Sequence, residues 1–140
     1  MSKVAVVFWS GTGNTQMMAD AVSDGAKAAG ADVSVFGPAE FGSSNVAEFD
    51  GIAFGCPAMG AEVLEEAEFD PMFTEVEGSL SGKKIALFGS YGWGDGQWMR
   101  DWEERCTAAG AVLATDSVMA NNAPDENALT ECEALGRALV

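Results

Sequence analysis

A chain of 140 residues with 48% hydrophobic and 21% charged residues is long enough to bury a core without disulfide or metal staples, and its composition argues against bulk disorder despite 17 glycines. Its 22 Asp+Glu against 7 Lys+Arg leave a formal net charge of −15 at pH 7, which disfavours nucleic acid and anionic membrane and favours cationic protein partners. The lack of histidine removes His-based triads and imidazole metal sites, while Cys56, Cys106 and Cys132 form no Cys-x-x-Cys pair and fall short of the four thiolates of an iron–sulfur cluster.

In chain order, two periodicities alternate. Val4 to Phe8 is a β-branched and aromatic run of the kind buried on both faces of a parallel sheet, and predicts a first strand. Met17, Met18, Ala21, Val22, Gly25 and Ala28 mark the apolar face of a helix from Asn14 to Ala29, with Gly30 as a left-handed stop. Val33 to Phe36 predicts the second strand, Gly37-Pro38 breaks it, and a short helix or turn follows around Ser43 to Glu48. Ile52 to Gly55 predicts a third strand, Phe69 to Val76 a helix, Lys84 to Phe88 a fourth strand and Gly89 to Gly96 a loop. Gln97 to Ala109 predicts a helix capped by Gly110, Val112 to Met119 a fifth strand, and Asp125 to Leu139 a closing helix.

No repeat, low-complexity tract or polar linker divides the chain, so residues 1–140 read as one domain. No apolar run approaches the ~20 residues of a membrane span, and Met1-Ser2-Lys3 leads straight into a strand. The expectation is a cytoplasmic protein with free cysteines, kept monomeric by its charge. Five strands alternating with helices predict an α/β fold, a three-layer, right-handed, doubly wound parallel sheet, with ligands at the carboxyl ends of strands where the strand order reverses.

Three loops at those ends carry chemistry. After the first strand comes Trp9-Ser10-Gly11-Thr12-Gly13-Asn14-Thr15, running into a helix. Its glycines permit a tight turn with converging amides, its hydroxyls add donors, and the helix start supplies partial positive charge, which makes a phosphate cradle. It lacks the Gly-Lys-[Ser/Thr] ending of a nucleoside-triphosphate loop, the third glycine of the dinucleotide fingerprint and any Lys or Arg, so a small phosphate monoester fits best. A plain Ser/Thr-capped connection is the alternative. The second loop, Gly55-Cys56-Pro57-Ala58-Met59-Gly60-Ala61-Glu62, sets a thioether beside a turn glycine. The third, Gly89-Ser90-Tyr91-Gly92-Trp93-Gly94-Asp95-Gly96, holds two aromatics among four glycines, where packing has difficulty claiming both. Trp98 and Trp102, spaced i,i+4, belong on one buried helix face, and Met17, Met18 and Met99 are read as core.

A phosphate cradle, a thioether and an indole suit a flat amphipathic ring with a phosphate tail. Here the chain resembles the short-chain flavodoxins, especially those of anaerobic bacteria, over essentially its whole length. The resemblance implies the strand order 2-1-3-4-5, a non-covalently held flavin mononucleotide (FMN), and one-electron transfer between redox proteins rather than catalysis by side chains. It implies that Ser10, Thr12, Gly13, Asn14 and Thr15 bind the phosphate, that Trp93 stacks on one ring face and Met59 lies on the other, and that Glu62 accepts from the ring N3–H. Backbone groups around Gly60-Ala61 and Ser90, Tyr91 and Gly92 meet the remaining polar edge, Asn122 closes the site, and Gly11, Pro57, Ala58 and Gly94 complete the loops. The peptide after Gly60 turns over on one-electron reduction, which glycine permits. Many relatives carry a hydroxyl after the strand-three cysteine and some an Asp after the loop glycine; here those positions are Pro57 and Ala61.

The acids Glu62, Glu65, Glu66, Glu68 and Asp70 begin inside a flavin loop. They would lower the potential by repulsion and dock basic patches on reductases and low-potential oxidoreductases, although a solvated acidic face is the plainer reading. A small FMN-dependent NAD(P)H or quinone reductase of the same fold is the main rival, with little chain to spare for a second substrate. A receiver domain would want an Asp where Cys56 stands, and a Cys-x5-Arg phosphatase would want an Arg where Glu62 stands.

Overall fold

Residues 2–11, 13–60 and 62–140 are described by the structure, a computed structural model. Strands β1 (Lys3–Phe8), β2 (Asp32–Phe36), β3 (Gly51–Gly55), β4 (Lys84–Tyr91), β5 (Val112–Leu113) and β6 (Val118–Asn121) alternate with helices α1 (Asn14–Ala28), α2 (Ser43–Val46), α3 (Phe69–Glu77), α4 (Gln97–Ala108) and α5 (Glu126–Ala138), with a 3-10 turn at Pro38–Glu40. All pairings are parallel, in the order β2-β1-β3-β4-β5, and β6 also pairs with β4. Order and architecture match the expectation.

Strand alternation sorts the core into two layers. Val4 and Val6 of β1, Ala53 of β3 and Ala86 and Phe88 of β4 face Met18, Val22, Cys132 and Leu135 of α1 and α5. Ala5, Val7, Ile52, Phe54, Ile85 and Leu87 face the aromatic side, where Phe69 and Phe73 of α3 meet Trp102 of α4 edge-on. Trp98 and Trp102 are core, as their spacing required. Arg105 ties the two helices of that side together: Nε donates to Glu77 Oε2 at 2.7 Å, Nη1 to Asp70 Oδ1 at 2.8 Å and Nη2 to Thr74 Oγ1 at 2.9 Å.

Three expectations are corrected. The fifth strand is not continuous: between Ile85 and Phe88 lie three residue steps of β4, but five separate their partners Leu113 and Val118, so two extra residues bulge out between β5 and β6. The bulge is tethered where Ser117 Oγ donates to Glu103 Oε2 at 2.6 Å. Because β6 extends the pairing, β4 runs on through Gly89, Ser90 and Tyr91, which the sequence alone reads as loop. Met17 and Ala28 are exposed rather than core, Met17 at 46%; the buried stripe of α1 runs through Thr15, Met18, Ala19, Val22 and Ala26.

The helices α1 and α5 meet at backbone distance. A side chain at Gly25 would collide with the Glu133 carbonyl, and one at Gly136 with the carbonyl of Val22. Gly136→Ala is therefore expected to lower stability by about 2–3 kcal/mol through overpacking, although alanine is the better helix former. Gly78 ends α3 at φ −68° with nothing near a Cβ, so Gly78→Ala is expected to raise stability by about 0.5–1 kcal/mol. Urea denaturation of the two variants checks the opposite signs.

Candidate functional site

Parallel pairing brings the ends of β1 and β3 level with Phe88 of β4, and the loops after β1 and β3, the last residues of β4 and the loop beyond it enclose a cleft of about 330 Å³. Its lining gathers Gly11, Asn14, Thr15, Pro57, Ala58, Met59, Ser90, Tyr91, Gly92, Trp93 and Asn122, eleven residues singled out from the sequence. None of the lining residues is charged.

One end of the cleft is polar. Gly13 precedes α1 at φ +94°, a conformation glycine adopts without strain, and nothing stands within 4 Å of where its Cβ would be. Ser10 Oγ accepts from Gly13 N–H at 3.1 Å and from Gln16 N–H at 3.3 Å, which closes the loop on itself and leaves the hydroxyl proton to point elsewhere. The N–H groups of Asn14 and Thr15, in the first turn of α1, have no acceptor among the described residues. Thr15 Oγ1 lies 3.2 Å from Ser90 Oγ across the cleft floor.

The other end is apolar and flat-walled. Trp93 is 54% exposed on its glycine-flanked turn, while Tyr91 leans on the buried Trp98, ring centroids 5.4 Å apart. Tyr91 is thus half core, and Trp93 is the free indole. Met59 is pinned by a two-way backbone pair with Val63, at 2.8 and 2.9 Å, with Gly60 at φ +50° and Glu62 at φ +58° between them. Asn122, also left-handed at φ +60°, donates its N–H to the Tyr91 carbonyl at 2.7 Å and closes the far wall.

Trp9 is the lining residue missed as a ligand contact. Its ring packs over Gly11, 3.0 Å from where a Cβ would stand. Trp93 stands out in the sequence because glycines flank it on both sides, whereas Trp9 continues the apolar run of the first strand and carries no such mark. Ser10, Gly13, Gly60, Glu62 and Gly94 do not line the cleft. The Glu62 carboxylate turns toward the start of α4, where Oε2 accepts from Trp98 N–H at 3.3 Å, and it packs against Gly94. Thr12 and Ala61 lie outside the described residues.

The acidic run separates into two kinds of residue. Glu65 is only 8% exposed, and its carboxylate accepts from the N–H groups of Ala67, Glu68 and Phe69 at 2.8, 2.8 and 2.9 Å, gathering the start of α3. Burial works against its ionisation, but the three N–H donors outweigh it and hold the carboxyl below its ordinary range. Asp70 is engaged by Arg105. Glu66 and Glu68 are exposed and make no side-chain hydrogen bond among the described residues. All three cysteines are free and buried, and burial pushes each thiol up to about 12, which keeps them protonated.

Residues 6–136 match the protein family described as Flavodoxin. A flavodoxin of Megasphaera elsdenii is 47% identical over 135 residues, and one of Clostridium beijerinckii 45% identical over 134, each alignment covering 96% of both chains. The solution structure of two-electron reduced Megasphaera elsdenii flavodoxin superposes with a TM-score of 0.89 over 97% of both chains.

Because the Glu65 carboxyl is depressed in the folded chain, its stabilisation is in full force above the ordinary carboxylate range and is lost as pH falls through the depressed value. Glu65→Gln is expected to cost about 2 kcal/mol at pH 7, with the gap to the parent narrowing below about pH 4. Denaturant titrations at the two pH values measure it.

Proposed function

The chain belongs to the flavodoxin family, and from that premise we propose how its residues hold the cofactor and meet a partner. It is an FMN-binding electron-transfer protein, a carrier rather than an enzyme. The observation that carries the residue assignment is a neutral cleft walled by indole and thioether, ending at a helix start where the Asn14 and Thr15 N–H groups have no acceptor among the described residues.

The residues present fit that group. The phosphate belongs at the polar end, on the Asn14 and Thr15 N–H groups, the Thr15 hydroxyl and the outward proton of Ser10, with Gly13 giving the backbone room to approach. The ring belongs between Trp93 and Met59, bounded by Trp9, Tyr91, Gly92 and Asn122. Bound FMN supplies the one-electron chemistry. Gly60 is exposed with its flanks pinned by the Met59–Val63 pair, so its peptide turns over without moving the strand ends and presents its carbonyl as a hydrogen-bond acceptor. Pro57 and Ala58 shape the floor, the Ala58 N–H donating to the Ser90 carbonyl at 3.0 Å. Carboxylates at the loop edge and the lack of any cation in the lining penalise added negative charge, which sets a low potential.

Partners dock where Trp93, Glu66 and Glu68 are exposed, guided by their own basic patches. Glu65 and Asp70 are spent on α3 and Arg105 and take no part. The charge keeps the carrier monomeric, and one domain suffices for the task. Among the described residues no helix is long and apolar enough to cross a membrane.

Stepwise dithionite reduction of FMN-loaded protein, followed by absorbance, is expected to resolve two one-electron steps; a colourless protein that cannot be loaded, or a single two-electron transition, contradicts the reading. With a ferredoxin-reductase-type enzyme as donor, Glu66→Gln combined with Glu68→Gln is expected to flatten the salt dependence of the reduction rate. Asp24→Asn, about 15 Å along α1 from Asn14, leaves it unchanged.

A further inference from the structure

Ser90 is assigned above only by its place on the cleft floor, yet its main chain is already committed. Its carbonyl accepts from Ala58 N–H at 3.0 Å, and it sits in register with Ala120 inside the sheet. What remains is the hydroxyl, 3.2 Å from Thr15 Oγ1, in a pair whose residues are 5% and 1% exposed. Among the described residues this is the one side-chain hydrogen bond between α1 and β4.

Each hydroxyl has one proton and two acceptor positions, so a single proton bridges the pair and either oxygen can supply it. If Thr15 donates to Ser90, Thr15 turns a lone pair toward the polar end of the cleft, which repels an anion. If Ser90 donates to Thr15, the Thr15 proton is free for the anion, and the chain of two donors polarises in its favour. An anion selects the second arrangement, and a neutral ligand has no such preference. The pair matters because recognition has no cation to lean on: no lining residue is charged, and Pro57 offers neither an N–H nor a hydroxyl.

We infer that Ser90 is a positioning residue that donates to Thr15 and turns the Thr15 hydroxyl proton toward the ligand's phosphate, so that it sets the preference for phosphorylated over unphosphorylated flavin. This rests on the FMN reading of the cleft. It differs from a contact of Ser90 with the ring, which would affect both ligands alike.

The test titrates apoprotein with FMN and with riboflavin, following flavin fluorescence. Ser90→Ala is expected to weaken FMN about tenfold, the loss of roughly one hydrogen bond, and riboflavin by less than about twofold. Ser90→Thr keeps the hydroxyl and is expected to hold the parental ratio of the two affinities within about threefold. If the alanine variant does not fold, Ser90→Cys, close in size but a weak donor, carries the same expectation. Equal weakening of both flavins, no change in either, or failure of the threonine variant to restore the ratio overturns the assignment while leaving the flavin site standing. A parent that takes up neither flavin removes the flavin reading itself, and the Ser90 role with it.

Discussion

Phe8 of β1, Gly55 of β3 and Phe88 of β4 stand in one row, paired Phe8 to Gly55 and Gly55 to Phe88, and the loops after β1 and β3 begin just beyond it. The row closes only because Gly55 has no side chain, since a Cβ there would collide with the Phe88 ring. Parallel pairing thus does more than bury strands. It delivers loops from distant parts of the chain to one height, where an indole, a thioether and a helix start converge. The extra reach of β4, held by β6 through Tyr91, adds a rigid wall that a loop could not supply.

A chain of net charge −15 that holds a phosphate meets an electrostatic problem, and no lysine or arginine in the cleft answers it. On the proposed reading the answer is local and dipolar: Asn14 and Thr15 N–H groups with no acceptor among the described residues, a serine that closes the loop on its own amides, and two hydroxyls that share one proton. Such donors act over a few ångströms, while the carboxylates act over a Debye length. The same molecule therefore accepts an anion inside and repels anions outside. On the proposed docking, partner choice and cofactor binding are separated by range.

The acidic run shows how one composition serves two purposes. Glu65 spends its charge on three amides at the start of α3, and Asp70 on Arg105, which also reaches Thr74 and Glu77. These are stability devices behind the flavin loop. Glu66 and Glu68, beside them in sequence, face solvent. Neighbours in the chain thus differ in function because one points at backbone donors and the next does not.

The alternation of strands and helices was legible from hydrophobic period alone, because runs such as Val4 to Phe8 and the apolar stripe of α1 obey local geometry. The loops carrying Thr15, Met59 and Trp93 were legible too, since glycine placement and ligand chemistry are written in adjacent residues. Only the tertiary structure decided that β4 continues to Tyr91, that the last sheet position is split by a two-residue bulge, that Trp9 walls the cleft, and that Ser90 shares a proton with Thr15. Each of these depends on a partner far along the chain: β6 for β4, the end of β3 for the Trp9 loop, residue 90 for residue 15. Hydrogen bonds and register across such separations are set by packing, and no periodicity in a single segment encodes them.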